Sequence, residues 1–121
     1  MDEEITVQSL TEAAQTRWNE EIFDKIHISS NNNKDLQLLY RSLYGMFLIP
    51  SNRTGENPGW SSGESYYDDI FTLWDTHRYH TSLFQIIQPT AYKEFVQSLI
   101  DIWRHDGFMP DARSSNFNGR V

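Results

Sequence analysis

The stretch 35–48 constrains the fold of this chain more than any other. Leu36, Leu38, Leu39, Tyr40, Leu43, Tyr44, Met46, Phe47 and Leu48 cover nearly the whole circumference of a helix, and Gln37 and Arg41 are among the few polar exceptions. A helix that is apolar all round must be buried on all sides. One amphipathic neighbour cannot do this, so the stretch calls for several, as in the inner layer of a larger helical assembly. Asn32 or Asn33 supplies a start signal in the polar segment 29–33, and Pro50 supplies the stop.

Other elements follow from periodicity. Ser9-Leu10-Thr11-Glu12 has the form of a capping box. Behind it Leu10, Ala14, Trp18, Ile22 and Ile26 recur every four residues, which predicts an amphipathic helix ending near 27–30. A long Ser/Asn/Gly/Pro-rich loop spans 51–64, and loops of that length in a compact domain are usually functional. Tyr66-Tyr67-Asp68-Asp69 reads as extended or turning. A third helix opens at Asp75 or Thr76 and runs to Ile87. Pro89 can then serve as the first residue of a fourth helix, with Tyr92, Phe95, Val96, Leu99, Ile100 and Trp103 at helical spacing and Gly107 as its stop. Residues 108–121 read as polar loop. The expectation is an all-α chain of about four helices with long loops and no convincing β-alternation. Residues 1–8 form an acidic lead-in or linker remnant ahead of a helical portion, 9–121.

Composition limits the function classes. The 121 residues carry a net charge of −7, which disfavours both a grip on nucleic-acid phosphates and a polybasic membrane patch. The longest apolar run, Met46-Phe47-Leu48-Ile49, is far short of a spanning helix, and no charged-then-apolar leader follows Met1. There is no Cys, so thiol nucleophiles, disulfides and Cys-based zinc sites are excluded. Aliphatic filler is modest beside an aromatic content of 14%, which suits large helix contacts and aromatic-lined clefts that take sugars or flat ligands.

Candidate chemistry is sparse. His77 and His80, three apart near Asp75, could share a helix face, but a zinc site needs more ligands than this, and both are read as core or surface histidines. No metal ligand is assigned. Glu64, Asp68, Asp69 and Asp75 lie close in sequence, and paired carboxylates are what glycoside hydrolysis uses; but Asp and Glu are abundant here, and a solvated face explains most such clusters. Asp75 follows Trp74 at a helix mouth. It is either a plain helix cap or a carboxylate that binds a sugar hydroxyl while the indole covers the C–H face. Asn52-Arg53-Thr54 fits the acceptor pattern for N-glycosylation.

The run Phe71-Thr72-Leu73-Trp74-Asp75-Thr76-His77-Arg78 resembles the Ser-Leu-Trp-Asp-Thr-x-Arg segment of glycoside hydrolase family 92, the calcium-dependent exo-acting α-mannosidases. Trp18-Asn19, Leu39-Tyr40-Arg41-Ser42-Leu43-Tyr44, Leu48-Ile49-Pro50-Ser51, Ile87-Gln88-Pro89 and Gly107-Phe108-Met109-Pro110 fall in the same order as in that family. The tail Met109-Pro110-Asp111-Ala112-Arg113-Ser114 is similar to a fungal-type variant of the turn, and the likeness covers about residues 10–120.

The resemblance implies that the chain is the first, incomplete part of an (α/α)6 barrel that follows an N-terminal β-sandwich. It implies inverting, exo-acting hydrolysis of terminal α-mannosyl linkages, chiefly α-1,2, in N-glycans or mannans, with calcium engaging the mannose hydroxyls. It implies secretion and a mannose-containing oligosaccharide as partner. Carried over, Asp75 contacts the terminal mannose with Trp74 beside it. The family's acid, base and calcium-binding elements lie downstream of the Gly-x-x-Pro turn. No catalytic residue is therefore assigned, and the chain alone is expected to be a fragment that neither hydrolyses mannosides nor holds calcium. A non-catalytic helical carbohydrate-binding or relic module is the alternative.

Overall fold

In the computed structural model the chain is described over residues 5–114 and 117–119. Its regular elements are mostly helical: α1 (Val7–Glu21), a single 3-10 turn (Phe23–Lys25), α2 (Asn33–Met46), α3 (Leu73–Thr76), α4 (His80–Ile87) and α5 (Pro89–Asp106). Two short antiparallel pairs join them. Strand β1 (Ser51–Asn52) pairs with β2 (Tyr67–Asp68), and β3 (Ala112–Ser114) pairs with β4 (Phe117–Gly119). The chain divides into two compact units, 1–43 and 44–121.

In the first unit, α1 is capped by Thr6, three residues before the expected cap Ser9. Thr6 and Ser9 satisfy each other's backbone N–H groups at 3.1 Å, a reciprocal box that pre-empts Ser9 as the cap. Glu12 instead accepts from Gln8. The acidic run Asp2-Glu3-Glu4 lies outside the described residues, and Val7 and Gln8 of the expected lead-in are helical. The Leu10–Ile26 stripe closes only at its far end, where Ile22 is buried. There Trp18 stacks on Phe23 at 5.8 Å and Phe23 meets Tyr40 edge-on at 5.6 Å. Asn32 caps α2, its Oδ1 accepting from the Lys34 N–H. Of the many apolar residues on α2, Leu43 alone is buried, and Leu38 is 67% exposed.

The second unit holds a core of Tyr67, Ile70, Phe84 and Phe95, against which Phe47, Leu73 and Leu99 pack. Its rings meet mostly edge-on or tilted, with Tyr67–Phe95 at 5.9 Å and Phe84–Phe95 at 6.1 Å. Helix α5 builds one wall as its spacing predicts. Pro89 sits at its start, Phe95, Ser98 and Ile102 face inward, and Gly107 ends it with φ +81°, a left-handed conformation suited to glycine. Buried Ser98 accepts the Tyr67 N–H at 2.7 Å, which fastens β2 to the helix.

Three sequence expectations need correction. The expected third helix is two, α3 and α4, separated at residues 77–79, where the Thr81 hydroxyl takes the Thr76 carbonyl at 3.2 Å. Asp75 is not a helix cap: Thr72 holds that position and Asp75 lies inside α3. The tail is not all loop, because residues 112–114 and 117–119 form a hairpin; residues 115, 116, 120 and 121 lie outside the described set.

Candidate functional site: a clamped turn carrying Trp74 and Asp75

Residues 69–75 form a turn with two backbone positions in the left-handed region, Asp69 at φ +58° and Thr72 at φ +46°. A β-branched residue there is a true outlier, and such conformations cost of order 1–3 kcal/mol each unless their surroundings impose them. The surroundings here come from the segment after α5. Ile70 exchanges both backbone hydrogen bonds with Arg113, at 2.6 and 2.7 Å. The Leu73 N–H donates to the Asp111 carbonyl at 3.0 Å. Asp69 accepts hydroxyls from Ser51 at 2.8 Å and from Ser114 at 3.4 Å. The Trp-Asp run and the stretch following the Gly107-to-Pro110 turn, far apart in sequence, are thus one structure.

Beneath the clamp lies an ion-pair network that the sequence reading missed. Arg113 is buried; it donates to Asp106 at 2.9 Å and to the Tyr66 hydroxyl at 3.1 Å, and lies 3.8 Å from Asp68. Its guanidinium also sits 5.6 Å from the Trp60 ring and 5.7 Å from the Tyr66 ring. Asp68 is fully buried and pairs with Arg53 as well, at 3.4 Å. Trp60, from the long loop, stacks on His105 at 5.1 Å and donates to Asp101 at 3.2 Å. Burial pushes the Tyr66 phenol above its ordinary range, against the opposing pull of its bond to Arg113.

Above the clamp three side chains of the turn are exposed. Trp74 is 51% exposed, Asp75 and Phe71 are also exposed, and Met109 stands open on the neighbouring turn. The Asp75 carboxylate makes no hydrogen bond to any described residue, so its four lone-pair directions are available to hydroxyl donors. An exposed indole can cover the C–H face of a pyranose, and an acceptor-only carboxylate can take its hydroxyls.

On the inner side is an apolar recess of about 210 Å³ lined by Met46, Ile49, Ile70, Leu73, His80 and Phe95. His80 is half-buried between Phe47 and Phe84 and hydrogen-bonds the Met46 carbonyl, while its Nε2 has no partner. Burial holds its pKa below the ordinary value, with the Met46 bond opposing. His77 is exposed.

Two of the four clustered carboxylates are engaged within the fold. Asp68 is consumed by its arginines, Asp69 by its serines, and Glu64 lies on the loop away from α3 in sequence and element. Among the described residues no three His, Asp or Glu side chains come together as a donor set. Asn52 is exposed at the end of β1. No helix of the described residues is long and apolar enough to cross a membrane.

Comparison with known proteins adds the following. The whole chain, residues 1–121, matches the model of the glycosyl hydrolase family 92 catalytic domain. It is also similar to an uncharacterized secreted glycosidase of Arthroderma benhamiae, with 31% identity over 87 residues, which are 70% of this chain and 11% of that protein. The chain spans about a tenth of the length of that relative.

Proposed function

Since this chain belongs to glycosyl hydrolase family 92, matching its catalytic domain, we propose that it forms the sugar-recognising first part of a secreted, exo-acting α-mannosidase. The observation that carries the reading is the exposed Trp74–Asp75 pair on a clamped turn, within a chain that matches the family throughout. In this role Asp75 accepts hydrogen bonds from hydroxyls of a terminal α-mannosyl residue, chiefly in α-1,2 linkage on N-glycans or mannans. Trp74 lies against the ring. The strained backbone fixes both before the sugar arrives, which lowers the entropy lost on binding.

Inverting hydrolysis needs a general acid at the leaving oxygen and a general base on the opposite face, with room between them for water. As the family resemblance implies, we assign these groups and the calcium ligands to the rest of the catalytic barrel. The chain on its own is therefore a recognition element without hydrolytic activity. Secretion agrees with the fungal relative, a secreted glycosidase.

The test is an NMR titration of the labelled 121-residue chain with methyl α-mannoside, with methyl α-glucoside as control. The mannoside is expected to shift the Trp74 indole N–H and the Asp75 amide, and Asp75→Ala to abolish the response. Shifts confined to other residues, or equal shifts with both sugars, refute the assignment. Release of mannose from an α-1,2-linked disaccharide by the chain alone would refute its inactivity.

A further inference from the structure

We propose that Asn52 is the acceptor for an N-linked oligosaccharide. Asn52-Arg53-Thr54 is the sole Asn-x-Ser/Thr triplet in the sequence, and the fold presents it in a form suited to that modification. Strand β1 ends at Asn52, and the chain turns at Thr54. Arg53 turns inward to buried Asp68 at 3.4 Å, while Asn52 and Thr54 are both exposed. The two recognition side chains face each other: the Thr54 hydroxyl donates to the Asn52 Oδ1 at 2.8 Å, and the Thr54 N–H donates to the same oxygen at 3.1 Å.

The nitrogen that would be modified is also accommodated. Asn52 Nδ2 carries two hydrogens, and one reaches the Tyr67 hydroxyl at 3.3 Å. Tyr67 in turn donates to Glu94 at 3.1 Å. The second hydrogen is available for substitution, so a glycan can be attached while the contact to Tyr67 is kept. Strand β1 has β2 as its one partner among the described residues, which leaves the far side of Asn52 open for a bulky group.

The donor class is an oligosaccharide carried on a polyisoprenyl pyrophosphate. The Asn52 Nδ2 bonds to C1 of the first sugar as the C1–O bond to pyrophosphate breaks. The pyrophosphate leaves with the electron pair, and the amide proton passes to a carboxylate of the transferase. The inference rests on the secreted reading above, because the donor and transferase lie in the secretory lumen.

To separate the two readings, the chain is expressed in a eukaryotic host behind an added secretory leader, and lumenal and secreted material are both analysed. The wild type should run as a glycosylated band that collapses on treatment with a peptide-N-glycosidase, leaving Asp at position 52 in the mass spectrum. Asn52→Gln and Thr54→Ala should lack the band, and Thr54→Ser should keep it. Lumenal wild-type chain with the mobility of Asn52→Gln would overturn the proposal, whether or not it folds or reaches the medium. Secretion itself is read separately, from export of the native gene product under its own signals.

Discussion

Arg113 lies in a stretch with no periodic signal, yet the fold depends on it. It neutralises Asp68 and Asp106 inside the second unit and lies over two aromatic rings. Removing one partner of a buried ion pair leaves an uncompensated charge, so Arg113→Met should destabilise the second unit by about 3–5 kcal/mol in urea denaturation. His80 gives a pH dependence of definite sign. Burial lowers its folded pKa, so the unfolded chain takes up the proton first. The stabilising contribution is full above about pH 6.5 and is lost as the pH falls through that value toward the folded pKa. The urea midpoint should therefore drop between neutral and mildly acidic pH, and His80→Gln should flatten that drop. Trp74 and Asp75 were legible in the sequence because they are consecutive and fall in a recognisable run. Arg113 was not, because its partners come from residues 60–68 and from the end of α5.

At the scale of elements, punctuation was the most legible information. Pro89 and Gly107 bound α5 where the sequence placed them, since each acts through its own backbone. Signals that compete were less legible. Thr6 and Ser9 both head plausible boxes, and the earlier one forms. Thr6→Ala should cost α1 about 1 kcal/mol. That loss is expected as reduced helical circular dichroism with the aromatic near-ultraviolet signal unchanged, because Trp18, the aromatic of α1, stacks on Phe23 at the far end of the helix from Thr6. The strand pairs escaped the reading for a different reason. Two- and three-residue strands are too short to show alternation, and their register comes from distant partners such as Asn52↔Tyr67.

For the molecule as a whole, the helical class was correctly expected, and the demand for neighbours around 35–48 is met only in part by the chain itself. Large apolar side chains stand open on several elements, including Leu38 at 67% and Ile86 at 76% exposure. Surfaces of this kind mark interaction faces or association hazards. The isolated chain should bind a hydrophobic dye strongly and elute as an associated species in size-exclusion chromatography. A dye-silent, cooperative monomer would favour the free-standing module instead. The clamp has one more consequence, which concerns time. The Leu73 bond to Asp111 and the Ile70 bridge to Arg113 close a loop containing all of α4 and α5. Long-range closures form late, after the local structure between them has been laid down. During synthesis the Trp74–Asp75 motif therefore leaves the ribosome as unshaped peptide, and it takes its clamped form only when a stretch made much later folds back to complete it.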